Sequence, residues 1–179
     1  DYWLDVDSWA EGDFPGDADK LQNDMNNPNR RIGKGDVFGY DYNMISYNGH
    51  AWLQNQWTTR HWDISYAAQA DYTEFWRDGN MRNGRAPENS YGEGKHHGYF
   101  TAGAKLGVTY KANGRNYIVA HAAVGNRAPT PYSAYVSSRI KDNYMPGIKA
   151  ATYVSGDLSD VWKYKKFLGS IIGFSTETY

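Results

Sequence analysis

The sequence predicts an all-β chain, an antiparallel meander of about six strands, and three observations lead to that prediction. Apolar and polar residues alternate with a period of two through most of the chain after position 41. The connections between the alternating runs are short and long in turn. Aromatic residues make up 16% of the chain, and several of them stand beside the short connections.

Residues 1–40 are rich in Asp, Asn and Gly and have no strand or helix periodicity, so we expect a long loop there. Two dipeptides mark candidate turns. Asn113-Gly114 predicts a type I′ hairpin, whereas Asn48-Gly49 fits either a strand interior or a tight turn. The strands themselves are expected at 41–58, 62–76, 99–111, 116–127, 151–162 and 167–179.

Each run sets one mostly uncharged apolar face against one polar face. We expect a continuous apolar band of Ile64, Tyr66, Ala68, Leu106, Val108, Ala120, Ala122, Leu158 and Ile172. The opposite face is expected to carry Gln54, Asp71, Lys105, His121 and Asp157.

Composition excludes several classes of protein. A net charge of −1, with both signs interspersed, gives no basic surface for nucleic acid. The absence of Cys excludes disulfides and zinc–thiolate sites. No apolar run approaches the length of about 18 residues that a membrane helix needs. Asp1 opens no secretion signal, so we expect either a cleaved signal or an excerpt of a longer chain.

The alternation of short turns with long loops is typical of outer-membrane β-barrels, whose periplasmic turns are tight and whose extracellular loops are extended. Lipid disfavours charge on the outer face of a barrel. Glu74 and Asp160 alternate in step with the apolar residues of their strands, but both stand near strand ends, where a charge costs less. Aromatic residues at the turns fit an interfacial girdle: Trp57, Trp62, Tyr110, Tyr117, Trp162 and Phe167. A soluble sandwich or jelly roll also fits alternation alone.

Four stretches of the sequence carry a more specific signal. GNRAPTPYSAY contains Gly125, Arg127, Ala128 and Pro129, and it resembles the Gly-x-Arg-Ala-Pro segment of TonB-dependent outer-membrane receptors. MPGIK followed by YVSGDLS is similar to that family's Pro-x-Leu-Lys-x-Glu lead into its next strand, although Ile148 and Ala151 depart from the pattern. KKFLGSIIGFSTETY is similar to the family's next hairpin, and RNGRAPENSYGEGKHH to the subgroup with a carboxypeptidase-regulatory-like N-terminal extension.

The resemblance implies a location and a function. It implies an outer-membrane transporter for active uptake of a solute, with a barrel of about 22 strands around a plug domain and energy supplied through TonB. Residues 41–179 would be roughly a quarter of that wall. The expected partners are TonB, the plug domain, outer-membrane lipid and a surface lipoprotein. The solute class, whether siderophore, glycan, peptide or cobalamin, is left open.

Enzymatic chemistry is not predicted, and neither is a cofactor. The carboxylates that a glycoside hydrolase would need, Asp63, Asp71 and Asp157, are explained as lumen-facing residues. His96 and His97 point to opposite faces if extended and make a poor metal chelate. A Ca²⁺ loop is not favoured either, because the order of an EF-hand is missing from Asp13, Asp17, Asp19 and Asp24.

Solute contacts are instead expected in the loops, where Arg and aromatic side chains can grip or stack on a ligand. The candidates are Arg82, Arg85, Tyr91, Tyr132, Tyr135 and Arg139. Packing within the loops explains these residues equally well. The rival hypothesis for the whole chain is a secreted or surface β-sandwich that binds carbohydrate through exposed Trp and Tyr.

Overall fold

The structure is a computed structural model that describes residues 24–27, 32–165 and 167–178. Seven strands and one short helix form in these residues: β1 (Tyr42–Thr58), β2 (Trp62–Gly79), β3 (Gly92–Glu93), β4 (His97–Lys111), β5 (Asn116–Arg127), α1 (Pro131–Ala134), β6 (Ala151–Tyr164) and β7 (Phe167–Thr178). No helix in the described part of the chain is long and apolar enough to span a membrane.

The six long strands form one antiparallel meander in the order β1-β2-β4-β5-β6-β7, with the two-residue β3 paired to β2. The prediction of sequential antiparallel neighbours is therefore confirmed. Within the described residues β1 and β7 do not pair with each other, so the sheet is open at both edges. Strand β1 runs without interruption through Asn48-Gly49, which excludes a tight turn there.

By internal packing the chain divides into two compact units. The loop unit comprises Glu74–His97, Thr130–Ile148 and the described part of Asp1–Tyr47. The sheet unit comprises Asn48–Thr73, Gly98–Pro129 and Lys149–Tyr179. The calcium candidates Asp13, Asp17 and Asp19 lie outside the described residues, as does most of the predicted loop over 1–40.

Each face of the sheet unit can be followed from strand to strand. Leu106 pairs with Ala122, and Ala120 pairs with Leu158, so these apolar residues share one face. The ring centroids of Trp62 and Tyr110 lie 4.7 Å apart, which adds β2 to that face. We call this the apolar face; it carries the even positions of β2, β4, β5 and β6 and the odd positions of β1 and β7.

The opposite face, which we call the polar face, carries most of the charged side chains of the sheet unit, and two pairs of them meet between strands. His121 Nδ1 lies 3.0 Å from Asp157 Oδ2, and Lys111 Nζ lies 2.6 Å from Asp63 Oδ1. A hollow of about 730 Å³ lies on this polar face and is lined from β1, β2, β4, β5 and β6 by Gln54, Ser65, Gln69, Lys105, His121 and Asp157 among others. Since one hollow draws on five strands, the polar face is concave.

The predicted face of β7 is wrong. Ile172 pairs with Ser159 and Phe174 pairs with Asp157, so Leu168, Ile172 and Phe174 lie on the polar side, and Ile171 lies on the apolar face. Apolar residues occupy both parities of FLGSIIGF, so alternation does not decide between the two faces. The pairing of Tyr164 with Phe167 fixes the register instead.

Two details at the short turns also correct the sequence-based expectations. Gly114 does not have positive φ, and neither does Asn113, so the β4–β5 turn is not type I′. The Asn113 side-chain oxygen instead accepts hydrogen bonds from the backbone N–H groups of Arg115 and Asn116, at 2.9 and 3.0 Å. Tyr117 stands beside this turn as expected but faces the polar side, where Lys163 Nζ lies 5.2 Å from its ring centroid.

Candidate functional site

A groove of about 470 Å³ in the loop unit is the candidate functional site. Its walls come from three separate parts of the chain: positions 39–40, the connection after β2, and the connection after β5. We call it the loop groove; it is lined by Gly39, Tyr40, Asn83, Arg85, Tyr132, Tyr135, Val136, Ser137, Ser138, Arg139 and Ile140.

Buried polar side chains hold the backbone of these connections in place. Arg77 is only 1% exposed, and its guanidinium donates to the carbonyl oxygens of Ser138 and Ser90 at 2.6 and 2.8 Å. The Asn83 side chain donates to the Gly39 carbonyl at 2.6 Å, and the Asn83 backbone N–H donates to the Ser90 hydroxyl at 2.8 Å. These bonds join all three parts of the groove wall. Buried donors and acceptors are costly to leave unpaired, so the bonds also hold the backbone of the wall in one arrangement.

An aromatic cluster supports the same wall. His97 stacks on Tyr144 with ring centroids 3.5 Å apart, and Tyr135 meets both rings edge-on. Phe75, which is fully buried, completes the cluster. Burial raises the pKa of Tyr135 to about 12, so its hydroxyl is a neutral donor at any physiological pH. That hydroxyl lies beside the backbone of Arg77 but has no well-aligned hydrogen bond to a described residue.

Among the described residues that line the loop groove, the charged ones are Arg85 and Arg139. The Arg139 guanidinium carbon lies 5.5 Å from the centroid of the Tyr40 ring, a cation–π contact that orients the planar cation. Arg85 is exposed, and its backbone N–H donates to the Asn83 side-chain oxygen at 2.9 Å. The groove therefore presents positive charge next to aromatic rings.

Four of the six loop residues selected from the sequence meet in this groove: Arg85, Tyr132, Tyr135 and Arg139. The other two do not line it; Arg82 and Tyr91 contact each other, with the guanidinium carbon 5.7 Å from the ring centroid. Tyr135 does not project into solvent, because it is only 5% exposed and belongs to the buried aromatic cluster. Sequence reasoning did not select Tyr40, Asn83 or the supporting Arg77.

The motif residues lie in the sheet unit and at the end of β5. Gly125 is buried between Gly103 and Tyr153, and a Cβ added there would lie 2.6 Å from the Tyr153 hydroxyl oxygen. Arg127 is exposed and pairs with Ala151, while Ala128 and Pro129 are half-buried just beyond the strand. The glycine of the motif thus has a steric reason within the sheet unit.

The two adjacent histidines have different surroundings. His96 bridges two carboxylates, with Nε2 2.6 Å from Glu93 Oε1 and Nδ1 3.1 Å from Glu74 Oε1, and its ring stacks on Trp76 at 3.8 Å. The hydrogen bonds to Glu93 and then Glu74 raise the pKa of His96. His97 lies in the aromatic cluster. No group of three or more His, Cys, Asp or Glu residues in the described ranges is arranged to hold a metal ion.

Comparison with protein-family models, with curated proteins and with solved structures finds no match to this chain.

Proposed function

We propose that this chain forms part of the wall of an outer-membrane receptor of the TonB-dependent type, which takes up a solute and is not an enzyme. A single observation supports it best: the apolar face is exposed and almost free of charge, while the concave face carries most of the charged side chains of the sheet unit. In a water-soluble protein the apolar face of a sheet is instead covered by other parts of the protein.

The exposed apolar side chains are large. They include Leu106 at 49%, Leu158 at 60% and Ile171 at 69% relative exposure. Soluble monomers seldom leave contiguous apolar patches above a few hundred Å² uncovered, so a face of this extent needs an apolar environment. Lipid supplies one without requiring a second sheet.

Charge is distributed as lipid would require. Asp160 and Glu177 are the charged residues of the apolar face in the described sheet unit, and each lies within a few residues of the end of its strand. Near the interface a charge costs about 0–1 kcal/mol, against about 2–4 kcal/mol for Arg or Lys at the midplane. Trp57, Trp62, Tyr110, Trp162, Tyr164 and Phe167 form an aromatic group beside the short turns of this face.

The open edges support a barrel larger than these strands alone. Six strands closed on themselves would leave no room for the paired charges of the polar face, because even eight strands give an interior that side chains fill. The resemblance around Gly125–Pro129 supports a large barrel with a plug domain and TonB as partners. The long connections, including the loop groove, would then face the incoming solute.

The rival carbohydrate-binding sandwich has weaker support. A sandwich brings the apolar faces of two sheets together around a closed interior. In the described residues all six long strands belong to one sheet, and the large side chains of its apolar face in the sheet unit, such as Leu106, Leu158 and Ile171, stay exposed.

Nitroxide spin labels test the proposal directly, because the chain has no Cys and single cysteines can be introduced one at a time. Ala104→Cys on the apolar face and Lys105→Cys on the polar face are matched neighbours in β4, and both positions are exposed. In phosphatidylcholine vesicles the label at 104 should collide with oxygen and the label at 105 with a water-soluble nickel chelate. Equal nickel accessibility at both positions would overturn the membrane proposal.

A further inference from the structure

We propose that the end of the sheet unit where the short connections lie binds the headgroups of anionic phospholipids, such as phosphatidylglycerol. The binding groups are basic side chains beside a tyrosine of the apolar face. This inference rests on the proposed function, because it takes the apolar face to lie against lipid. All of the residues that carry it belong to the sheet unit.

Three short connections lie side by side at this end of the sheet. The Lys111 backbone N–H donates to the His61 carbonyl at 2.8 Å, and the Lys163 backbone N–H donates to the Arg115 carbonyl at 2.7 Å. These bonds bring the β1–β2, β4–β5 and β6–β7 connections together. We call their described residues the short-turn rim; they are 59–61, 112–115 and 165.

The short-turn rim carries positive charge. Its described residues include Arg60, Arg115 and Lys165, which are all exposed, and no acidic residue. Asp63, at the start of β2, is paired with Lys111 through the 2.6 Å contact between its Oδ1 and the lysine Nζ. Anionic lipid attracts basic side chains near its surface, and each one strengthens binding about fivefold.

Two of these cations share one aromatic ring on the apolar side. The Arg115 guanidinium carbon lies 5.4 Å from the centroid of the Tyr164 ring, and Lys165 Nζ lies 5.7 Å from it. Tyr164 is 54% exposed and ends β6 on the apolar face. A tyrosine at the end of a lipid-facing strand lies at headgroup depth, where a phosphate would meet both the guanidinium and the ammonium. Asp160, the carboxylate on this face of β6, lies about 13 Å away along the strand, four positions before Tyr164.

The backbone at Lys165 supplies an independent argument. Lys165 has a positive φ of 51°, a left-handed conformation that Gly and Asn adopt at lower cost than Lys. The turn itself therefore disfavours lysine at this position. Residues held against their backbone preference cluster at functional sites, and a cation at headgroup depth supplies such a function here.

Association of spin-labelled lipids with the full chain in phosphatidylcholine vesicles tests the proposal. Phosphatidylglycerol and phosphatidylcholine, each with a nitroxide on the acyl chain, are compared by the fraction of label whose motion the protein restricts in electron paramagnetic resonance spectra. At about 10 mM salt phosphatidylglycerol should associate at least about threefold more tightly. At about 1 M salt, where the Debye length is about 3 Å, the ratio should fall below about 1.5. Equal association of the two lipids at low salt would overturn the proposal.

Variants locate the binding. Arg115→Gln combined with Lys165→Asn removes both cations beside Tyr164, and asparagine suits the left-handed turn, so folding should be preserved. This double variant should lose at least about half of the preference for phosphatidylglycerol. The matched control, Lys163→Gln combined with Lys105→Gln, removes the same charge from the polar face and should keep the preference. Full preference in the first variant, or an equal loss in the control, would refute the assignment.

The result can be separated from that of the nickel experiment. A lipid-facing label at position 104 with equal association of the two lipids would refute the headgroup site and leave the membrane proposal in place. Equal nickel accessibility at 104 and 105 would refute the membrane proposal, and the headgroup site with it.

Discussion

Replacing Ala122 by Arg is the perturbation that most directly tests how lipid would bear on this sheet. Ala122 lies in β5 on the apolar face, is exposed, and pairs with Leu106 on one side and Gly156 on the other. In water an exposed alanine tolerates arginine, with an expected change in the free energy of unfolding within about 0.5 kcal/mol. In a membrane the same position has a very different cost.

The depth of the side chain sets that cost. Ala122 lies six positions after Asn116, where β5 begins. At about 3.3 Å per residue this is about 20 Å along the strand, or about 15 Å along the membrane normal at a tilt of about 40°. Half of a hydrocarbon core about 30 Å thick is the same distance, so Ala122 would lie near the midplane. Arginine there costs about 2–4 kcal/mol, which lowers the ratio of folded to unfolded protein by about 30-fold to 900-fold.

Urea titrations of folding into phosphatidylcholine vesicles, followed by far-ultraviolet circular dichroism, measure the change. Ser155→Arg is the matched control, because Ser155 adjoins Gly156, the partner of Ala122, but faces the polar side. Its expected cost is below about 1 kcal/mol in the same vesicles. If Ala122→Arg in vesicles costs no more than Ser155→Arg, the argument from the apolar face is refuted.

Three further predictions concern single contacts. Gly125→Ala should lower the free energy of unfolding by about 1–3 kcal/mol in denaturant titrations, because the new Cβ would lie 2.6 Å from the Tyr153 hydroxyl and 3.0 Å from Gly103 Cα. The control Gly173→Ala should be near neutral, because no atom lies within 4 Å of its Cβ position. Equal effects of the two substitutions would contradict the steric account. Arg77→Met should cost about 2–5 kcal/mol and speed tryptic cleavage after Arg139 or Lys141, because two buried carbonyls lose their donors, whereas Arg60→Met should not. Since the folded-state pKa of His96 is raised, its contribution to stability is fully present below about pH 6.5 and is lost as pH rises through the raised value. The fluorescence of Trp76, on which His96 stacks, should follow this titration in the parent chain and not in His96→Gln, whereas loop-unit stability in that variant should keep the opposite pH dependence of His97, whose pKa burial lowers.

The sequence predicts the positions of the long strands well because polar residues alternate with apolar ones along most of them. Between Trp62 and Tyr72 the apolar positions carry no charge while the other parity holds Asp63 and Asp71, and the structure keeps that division. The pattern fails in β7, where Ile171 and Ile172 are adjacent. Only the pairing with β6 decides that Ile171 lies on the apolar face and Ile172 on the polar face. Local pattern therefore predicts strand position, and cross-strand register decides orientation where the pattern is ambiguous.

The loop groove shows a different limit. Arg85 and Arg139 are 54 positions apart in the sequence, and no periodicity relates them. Choosing Arg and Tyr residues of the predicted loops by residue type alone identified four of the residues that line the groove. Their convergence depends on the backbone bonds made by Arg77 and Asn83, side chains whose burial no local pattern predicts.

The ring of Tyr153 also bears on how the strands find their alignment. Its hydroxyl approaches both Gly125 and Gly103, the paired glycines of the two preceding strands. A slip of two residues would preserve both faces of the sheet, so burial alone does not oppose it strongly. Such a slip would place Tyr153 against Ala123 or Arg127, whose side chains occupy the space that the glycines leave open. Contact between Tyr153 and the two glycines therefore favours the observed register of β4, β5 and β6. Registers shifted by two residues would keep the same residues on each face but would lose this contact.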